Sequence, residues 1–182
     1  MAAVSALGFN PGKRRGGVGM ACRGVLFALA EGQRARLLGC GGDEEVMALV
    51  EEVEEAWDEA WVCEVDKAWD ALHRCLTDGR LEYGNGEFPL SHVILGGRAM
   101  YEGEDYVVCY VEPGEVRAVA DALGRVDEGW VRRRYAELEF EDYQGVRGEE
   151  DLAYTVCSLP DLREFYRQAA EEGRAVVFTV DQ

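Results

Sequence analysis

The stretch Val65-Asp-Lys-Ala-Trp-Asp-Ala-Leu-His-Arg-Cys-Leu-Thr-Asp-Gly79 decides how the chain is read, and it carries one of only two histidines in the protein. Asp66 is a favourable helix N-cap and Thr77-Asp78-Gly79 a stop signal, so the spacing predicts about three helical turns between them. On that helix Trp69, Leu72, His73 and Leu76 share one face at spacings of three and four. Asp66, Asp70 and Arg74 form a ladder at intervals of four on a neighbouring face. His73 is thereby expected near the edge of the core.

Two chemistries fit this pattern. In one, His73 is a general base or a ligand-binding group, oriented by a carboxylate, with Trp69 lining a pocket beside it. Asp70 lies within reach of His73, whereas Asp66 is two turns away. In the other, Trp69 is core and His73 is a semi-buried histidine whose ring nitrogens are satisfied by the protein, since one helix rarely supplies a whole site. Lys67 opposes the macrodipole at the helix start, which marks it as the partner of a distant acid or of a ligand. Together with Arg98, from the Gly96-Gly97-Arg98 turn, the candidate pocket is Asp66, Lys67, Trp69, Asp70, His73 and Arg98.

Outward from this helix, the apolar run Gly24–Leu29 reads as a strand and Glu31 to Leu38 as a short helix closed by Gly39. Asp43 is expected to cap a helix reaching about Trp57, with Val46, Leu49, Val50 and Val53 inward and a run of glutamates outward. Tyr83-Gly-Asn-Gly86 is a loop, and Pro89 to Leu95 is ambiguous between strand and short helix. Tyr106 to Val111 is a strand, and Pro113 opens a helix ending at Leu123. Asp127 to Tyr135 is helical, while Glu137 to Asp142 is undetermined. Asp151 to Glu172 is helical with a break near Pro160, and Ala175 to Val180 is a final strand. Helices outweigh strands without regular alternation, which predicts the α+β class: one domain, with a small mixed sheet packed with several helices.

Composition bounds the function. The chain has 182 residues, with 36 Asp and Glu against 19 Lys and Arg, a formal charge of −17. Such a field repels nucleic acid and anionic membranes and favours a basic protein partner. No apolar run is long enough to span a bilayer. The six cysteines are scattered with no C-x-x-C pair and read as thiols in a reducing, cytoplasmic setting. No zinc spacing, P-loop, G-x-S-x-G elbow or H-E-x-x-H is present, so no metal and no cofactor are expected. Gly84-Asn-Gly86 and Gly96-Gly-Arg98 read as turns rather than phosphate cradles. Residues 1–17 contain Lys13, Arg14 and Arg15 and no acid, and are expected to be a disordered extension. A twin-arginine export signal is rejected, because Arg23 and several glycines interrupt the apolar run that follows.

Three segments are similar to the YfbM-like family, small bacterial proteins of uncharacterised function. They are Asp66-Lys67-x-Trp69-x-x-Leu72-His73; Pro89-Leu90 through Gly96-Gly97; and Leu162-x-x-Phe165-Tyr166-x-x-Ala169-Ala170-x-x-Gly173 with the strand after it. The resemblance spans about residues 18–181. It implies an α+β domain over 18–182 and supplies no reaction, cofactor or catalytic residue. Family members open on Met-Gly-Met where this chain has Val18-Gly19-Met20, which implies a natural start at Val18. The expected function is a non-enzymatic, acidic cytosolic binding protein, inhibitor- or immunity-like, with the Asp43–Glu59 helix docking on a basic partner. The rivals are a small-molecule-binding enzyme with its pocket around His73, and a structural homo-oligomer.

Overall fold

The computed structural model describes residues 22–181; the extension expected at 1–17 and the start expected at Val18 lie outside them. The order along the chain is β1 (Gly24–Leu29), α1 (Glu31–Gly39), α2 (Asp43–Ala56), β2 (Val62–Asp66), α3 (Ala68–Leu76), a 3-10 turn (Leu90–His92), β3 (Arg98–Ala99), β4 (Tyr106–Val111), α4 (Pro113–Leu123), α5 (Glu128–Glu137), α6 (Glu149–Cys157), α7 (Leu159–Glu171) and β5 (Ala175–Asp181). The strands form one sheet in the order β2-β1-β5-β4-β3. The α+β class and the single domain are as expected, and the sheet, expected to be mixed, is antiparallel at every pairing.

The sheet is the middle of three layers. Successive side chains of a strand point to opposite faces. Leu26 and Ala28 of β1, Cys109 and Val111 of β4, and Val176, Phe178 and Val180 of β5 therefore join the core beneath α3–α7. Val25, Phe27, Leu29, Val108, Tyr110, Ala175 and Val177 join the core beneath α1 and α2. Cover on both faces explains why Gly24–Leu29 is an unbroken apolar run with every residue buried.

On the first face, α2 turns Val46, Leu49, Val50 and Val53 inward, as its period predicts. Asp43 is the first residue of this helix rather than its cap, which is Gly42. Its carboxylate instead accepts from the Glu102 N–H at 3.2 and 3.3 Å and ties the helix start to the β3–β4 connection. The helix ends on Trp57, whose φ of +37° lies in the left-handed region that glycine usually fills. The Trp57 indole meets Phe27 edge-on at 5.9 Å and stays 40% exposed. A void of about 10 Å³ remains among Phe27, Leu49, Val50 and their neighbours, room for about one water and apolar in lining.

On the second face, α4 and α7 pack along each other, and α3 sits under α5 and α6. The α6–α7 break falls at Ser158, with Pro160 in the first turn of α7, where its missing N–H costs nothing. The 89–95 segment resolves as a 3-10 turn followed by buried Val93, Ile94 and Leu95. Strand β2 has no counterpart in the sequence reading. It is short and lies at the sheet edge, with Cys63 and Val65 buried and Glu64 exposed between them.

Candidate functional site

The residues of the Val65–Gly79 stretch divide between strand and helix. Asp66 is the last residue of β2, not the N-cap of α3; Lys67 holds that position. The β1–β2 register shifts between Gly24 and Val25, and Asp66 has a φ of +43°. This bulged, left-handed exit turns the chain from the sheet edge into α3. Asp66 accepts from the Tyr154 hydroxyl at 2.5 Å through Oδ2. Its Oδ1 lies 3.5 Å from Arg23 Nε without hydrogen-bond geometry, and is one of two buried side-chain polar atoms lacking a partner among the described residues. The ladder expected through Asp66, Asp70 and Arg74 thus loses its first rung, because Asp66 is not on the helix.

Trp69 is core. Its ring lies 5.8 Å from Phe178, and its Nε1–H donates to the Cys22 carbonyl at 3.2 Å. A Cβ at position 24 would stand 2.8 Å from three atoms of Trp69, so the close approach of β1 to α3 requires glycine there.

His73 lies inside the core at 1% exposure rather than at its edge. Its Nδ1 accepts from the Leu95 N–H at 3.5 Å. Its Nε2 faces the Asn85 carboxamide oxygen at 2.7 Å and the Glu82 carbonyl at 3.0 Å. One acceptor nitrogen and one donor nitrogen define a neutral imidazole protonated at Nε2. Burial is the main reason its pKa is pushed down to about 4; the hydrogen bonds to Asn85 and Glu82 oppose this, and the Arg74 charge adds to it. Both nitrogens are committed to the 80–97 segment, and neither is free for a substrate.

Arg74, also 1% exposed, is the larger polar commitment of this helix. Its Nε donates to Asp70 Oδ1 at 2.5 Å, and its Nη1 to the carbonyls of Gly79 at 3.0 Å and Glu141 at 2.6 Å. The guanidinium lies 5.6 Å from the Phe140 ring centroid and 5.5 Å from that of Tyr143, a stacked arrangement that arginine tolerates on desolvation. Burial raises the Asp70 carboxyl, and its bond to Arg74 pulls it back. Around this pair, Arg134 donates to the carbonyls of Cys75 and Thr77 at the C-terminal end of α3, where cations are favoured and orphan carbonyls need donors. Arg147 donates to the Leu138 and Tyr135 carbonyls. Asp151 accepts from the Tyr135 and Tyr143 hydroxyls.

The six expected pocket residues do not converge. Lys67 and Arg98 are exposed, the first at the start of α3 and the second on edge strand β3. Trp69 and His73 are sealed in the core, Asp70 is engaged by Arg74, and Asp66 by Tyr154. A cleft of about 490 Å³ is lined by Asp78, Arg80, Glu139, Phe140, Glu141 and Arg147, none of them among the six. The Arg80 guanidinium in it is paired with Asp78 and Glu82. The other histidine, His92, packs edge-on against Phe88 at 4.9 Å, with a buried Nδ1 that has no partner among the described residues. Among those residues no cluster of His, Cys, Asp and Glu is arranged to hold a metal. The thiols of Cys63, Cys75 and Cys109 are each pushed up to about 12 by burial, which removes thiolate character at neutral pH.

The outer face of α2 is open. Glu44, Glu51 and Glu55 lie along it at helical spacing, all exposed, and Asp58 and Glu59 continue past its end beside Trp57. Glu52 is held by Arg36 in a two-bond fork, whereas no salt bridge engages Glu44, Glu51 or Glu55 among the described residues. The basic run Arg132-Arg-Arg134 offers no comparable patch. Arg132 pairs with Glu128 and Glu149, and Arg134 points into the backbone of α3.

Asn85, Arg134, Arg147 and Asp151 were not singled out as partners by sequence reasoning. Their bonds join segments up to 59 residues apart, and no local period reports such pairings. The one signal present is that Arg74 adjoins an apolar helix face and that two aromatics, Phe140 and Tyr143, lie in and just after the stretch of undetermined structure.

The model of a family described as a domain of unknown function, DUF1877, matches residues 20–179. None of the curated proteins compared matches the chain. Among solved structures, "The Crystal Structure of a Protein of Unknown Function YfbM from Escherichia coli" is similar at 20% identity and a TM-score of 0.65, over 87% of this chain and 99% of that one. At that identity the likeness shows the fold, and it agrees with the YfbM-like segments of the sequence. No helix among the described residues is long and apolar enough to cross a membrane. With the family model covering most of its length, the chain belongs to the DUF1877 family.

Proposed function

We propose that this member of the DUF1877 family is a non-enzymatic, cytosolic binding protein that engages a basic protein partner, in the manner of an inhibitor or immunity protein, through the outer face of α2. The observation that carries the reading is a contrast in how charged groups are used. The polar residues of the signature helix are consumed by the fold: His73 by the 80–97 segment, Arg74 by Asp70 and two carbonyls. The carboxylates of Glu44, Glu51 and Glu55 stand exposed in a row beside a 40% exposed tryptophan. Tryptophan is the residue type most enriched at interface hot spots, and a carboxylate row raises the encounter rate with a cationic surface. The net charge of −17 acts in the same direction. Buried thiols in Cys63, Cys75 and Cys109 support a reducing compartment.

The test is capture from a native lysate at low and high salt with three proteins: the wild type, a Glu44→Gln/Glu51→Gln/Glu55→Gln triple variant, and a control carrying Glu104→Gln, Asp121→Asn and Glu137→Gln. A specific basic partner held at low salt by the wild type and the control, and lost by the α2 variant, is the expected result. Equal retention by all three, or no retained protein at low salt, contradicts the reading.

A further inference from the structure

One carboxamide joins loop 80–97 to α3 and the turn after it, beside the contacts of His73 with Glu82 and Leu95. The Asn85 oxygen accepts from His73 Nε2–H at 2.7 Å. Its Nδ2 donates to Asp78 Oδ1, to Thr77 Oγ1 at 3.3 Å and to the Arg80 carbonyl at 3.2 Å. The next residue, Gly86, has a φ of +78°, and a Cβ there would stand 2.7 Å from Thr77 Cβ and 2.9 Å from its Cα. Backbone conformation and close approach therefore both require glycine at position 86. That requirement creates an Asn-Gly pair, in which no side chain shields the backbone nitrogen after the asparagine.

We propose that Asn85 is a gated modification site: opening of the 80–97 loop lets its side chain deamidate with water, and the carboxylate formed holds the loop open. In the step, the Gly86 backbone nitrogen gives up its proton and bonds to Asn85 Cγ. The Cγ–Nδ2 bond breaks and ammonia leaves. Water then opens the five-membered imide at either carbonyl, giving aspartate or isoaspartate. One water is consumed and one ammonia released, with no change of oxidation state.

The closed loop opposes this chemistry. Attack makes Cγ tetrahedral and requires Nδ2 to take up a proton, while its hydrogens are already donated to the Asp78, Thr77 and Arg80 oxygens. Local opening, not global unfolding, is the event that frees the group. The product reverses the bonding. A carboxylate at position 85 has no hydrogen to donate, and it faces the Asp78 carboxylate at hydrogen-bond distance, where like charges repel. The loop would lose the Asn85 tie to Thr77, Asp78 and Arg80, and its own Val93, Ile94 and Leu95, buried when it is closed, would lose their cover.

Peptide-map mass spectrometry of the intact chain, aged at mildly alkaline pH, reads the conversion at residue 85. The folded wild type is expected to convert at least about tenfold more slowly than the same chain in urea, with the folded His73→Gln variant between them. Folded protein converting as fast as unfolded chain, or no conversion in urea, overturns the proposal. Hydrogen exchange reads the consequence. In Asn85→Asp, or in aged wild type separated by charge if that variant does not fold, the Gly84 and Leu95 amides are expected to exchange at least about tenfold faster than in fresh protein. Unchanged protection of both amides overturns it.

Discussion

The two faces of the sheet are built by different means. Beneath α1 and α2 the core is aliphatic and aromatic, with hydroxyls only at its margin, where Thr179 donates to Glu54 and Tyr110 accepts from Arg34, and Glu44, Glu51 and Glu55 sit outside with no salt bridge among the described residues. Beneath α3–α7 the core contains a charged guanidinium, a neutral imidazole and their carbonyl partners. Both faces bury aliphatic side chains, the α3–α7 side the larger set, so the hydrophobic effect closes both. Only the second face uses buried polar contacts to fix the course of irregular chain, the 77–97 and 138–148 segments. Buried polar groups give a unique arrangement only when each is satisfied. The difference teaches that the histidine of the signature helix is used to hold the 80–97 segment, while Glu44, Glu51 and Glu55 make no salt bridge among the described residues.

The contrast can be broken most severely at Asp70. Asp70→Ala leaves the Arg74 charge buried without its carboxylate, and denaturant unfolding should show a loss of about 3–5 kcal/mol. On the α2 side the comparable damage requires a cavity: Leu49→Ala should cost about 2–5 kcal/mol. If Asp70→Ala is milder than about 1 kcal/mol, Arg74 reaches solvent and the second face is less closed than described.

Acid sharpens the same contrast. The folded pKa of His73 is pushed down to about 4 against 6.5 for the free side chain, so the unfolded chain binds the proton first. The stability contributed is fully present above pH 6.5 and is lost as pH falls through the window to about 4. A shift of that size corresponds to about 3 kcal/mol. His73→Gln should start less stable at neutral pH and show a flatter stability profile across that window. Parallel profiles for the two proteins would mean that His73 does not titrate with unfolding.

The smallest effect belongs to the α2 surface. Each of Glu44→Gln, Glu51→Gln and Glu55→Gln should change stability by no more than about 0.5 kcal/mol. A larger loss would show that these carboxylates serve the fold and would remove the distinction between the faces.

The same division governs what the sequence made legible. Periodicity located β1, α2, β4, α4, α7 and β5 to within a residue or two, because burial on one stripe or both faces of an element leaves a local pattern. It missed β2, five residues at an edge that merge into the helix after them, and so placed Asp66 on α3. It also placed His73 at the edge of the core. The choice between pocket and core depended on Glu82, Asn85 and Leu95, which come from a glycine-rich loop with no period of its own. Asp70 and Arg74 were legible as a helical pair, but the burial of Arg74 was not, since Phe140 and Tyr143 reach it from more than sixty residues away.

The central claim, that His73 is a sealed structural group, is tested most directly by nitrogen-resolved NMR titration of its imidazole in the wild-type chain. The account predicts a neutral ring protonated at Nε2 at pH 7, with no titration until pH approaches about 4. A ring that titrates near its free value of 6.5, or exchanges rapidly between tautomers at neutral pH, would contradict it and return His73 to the list of groups open to a ligand.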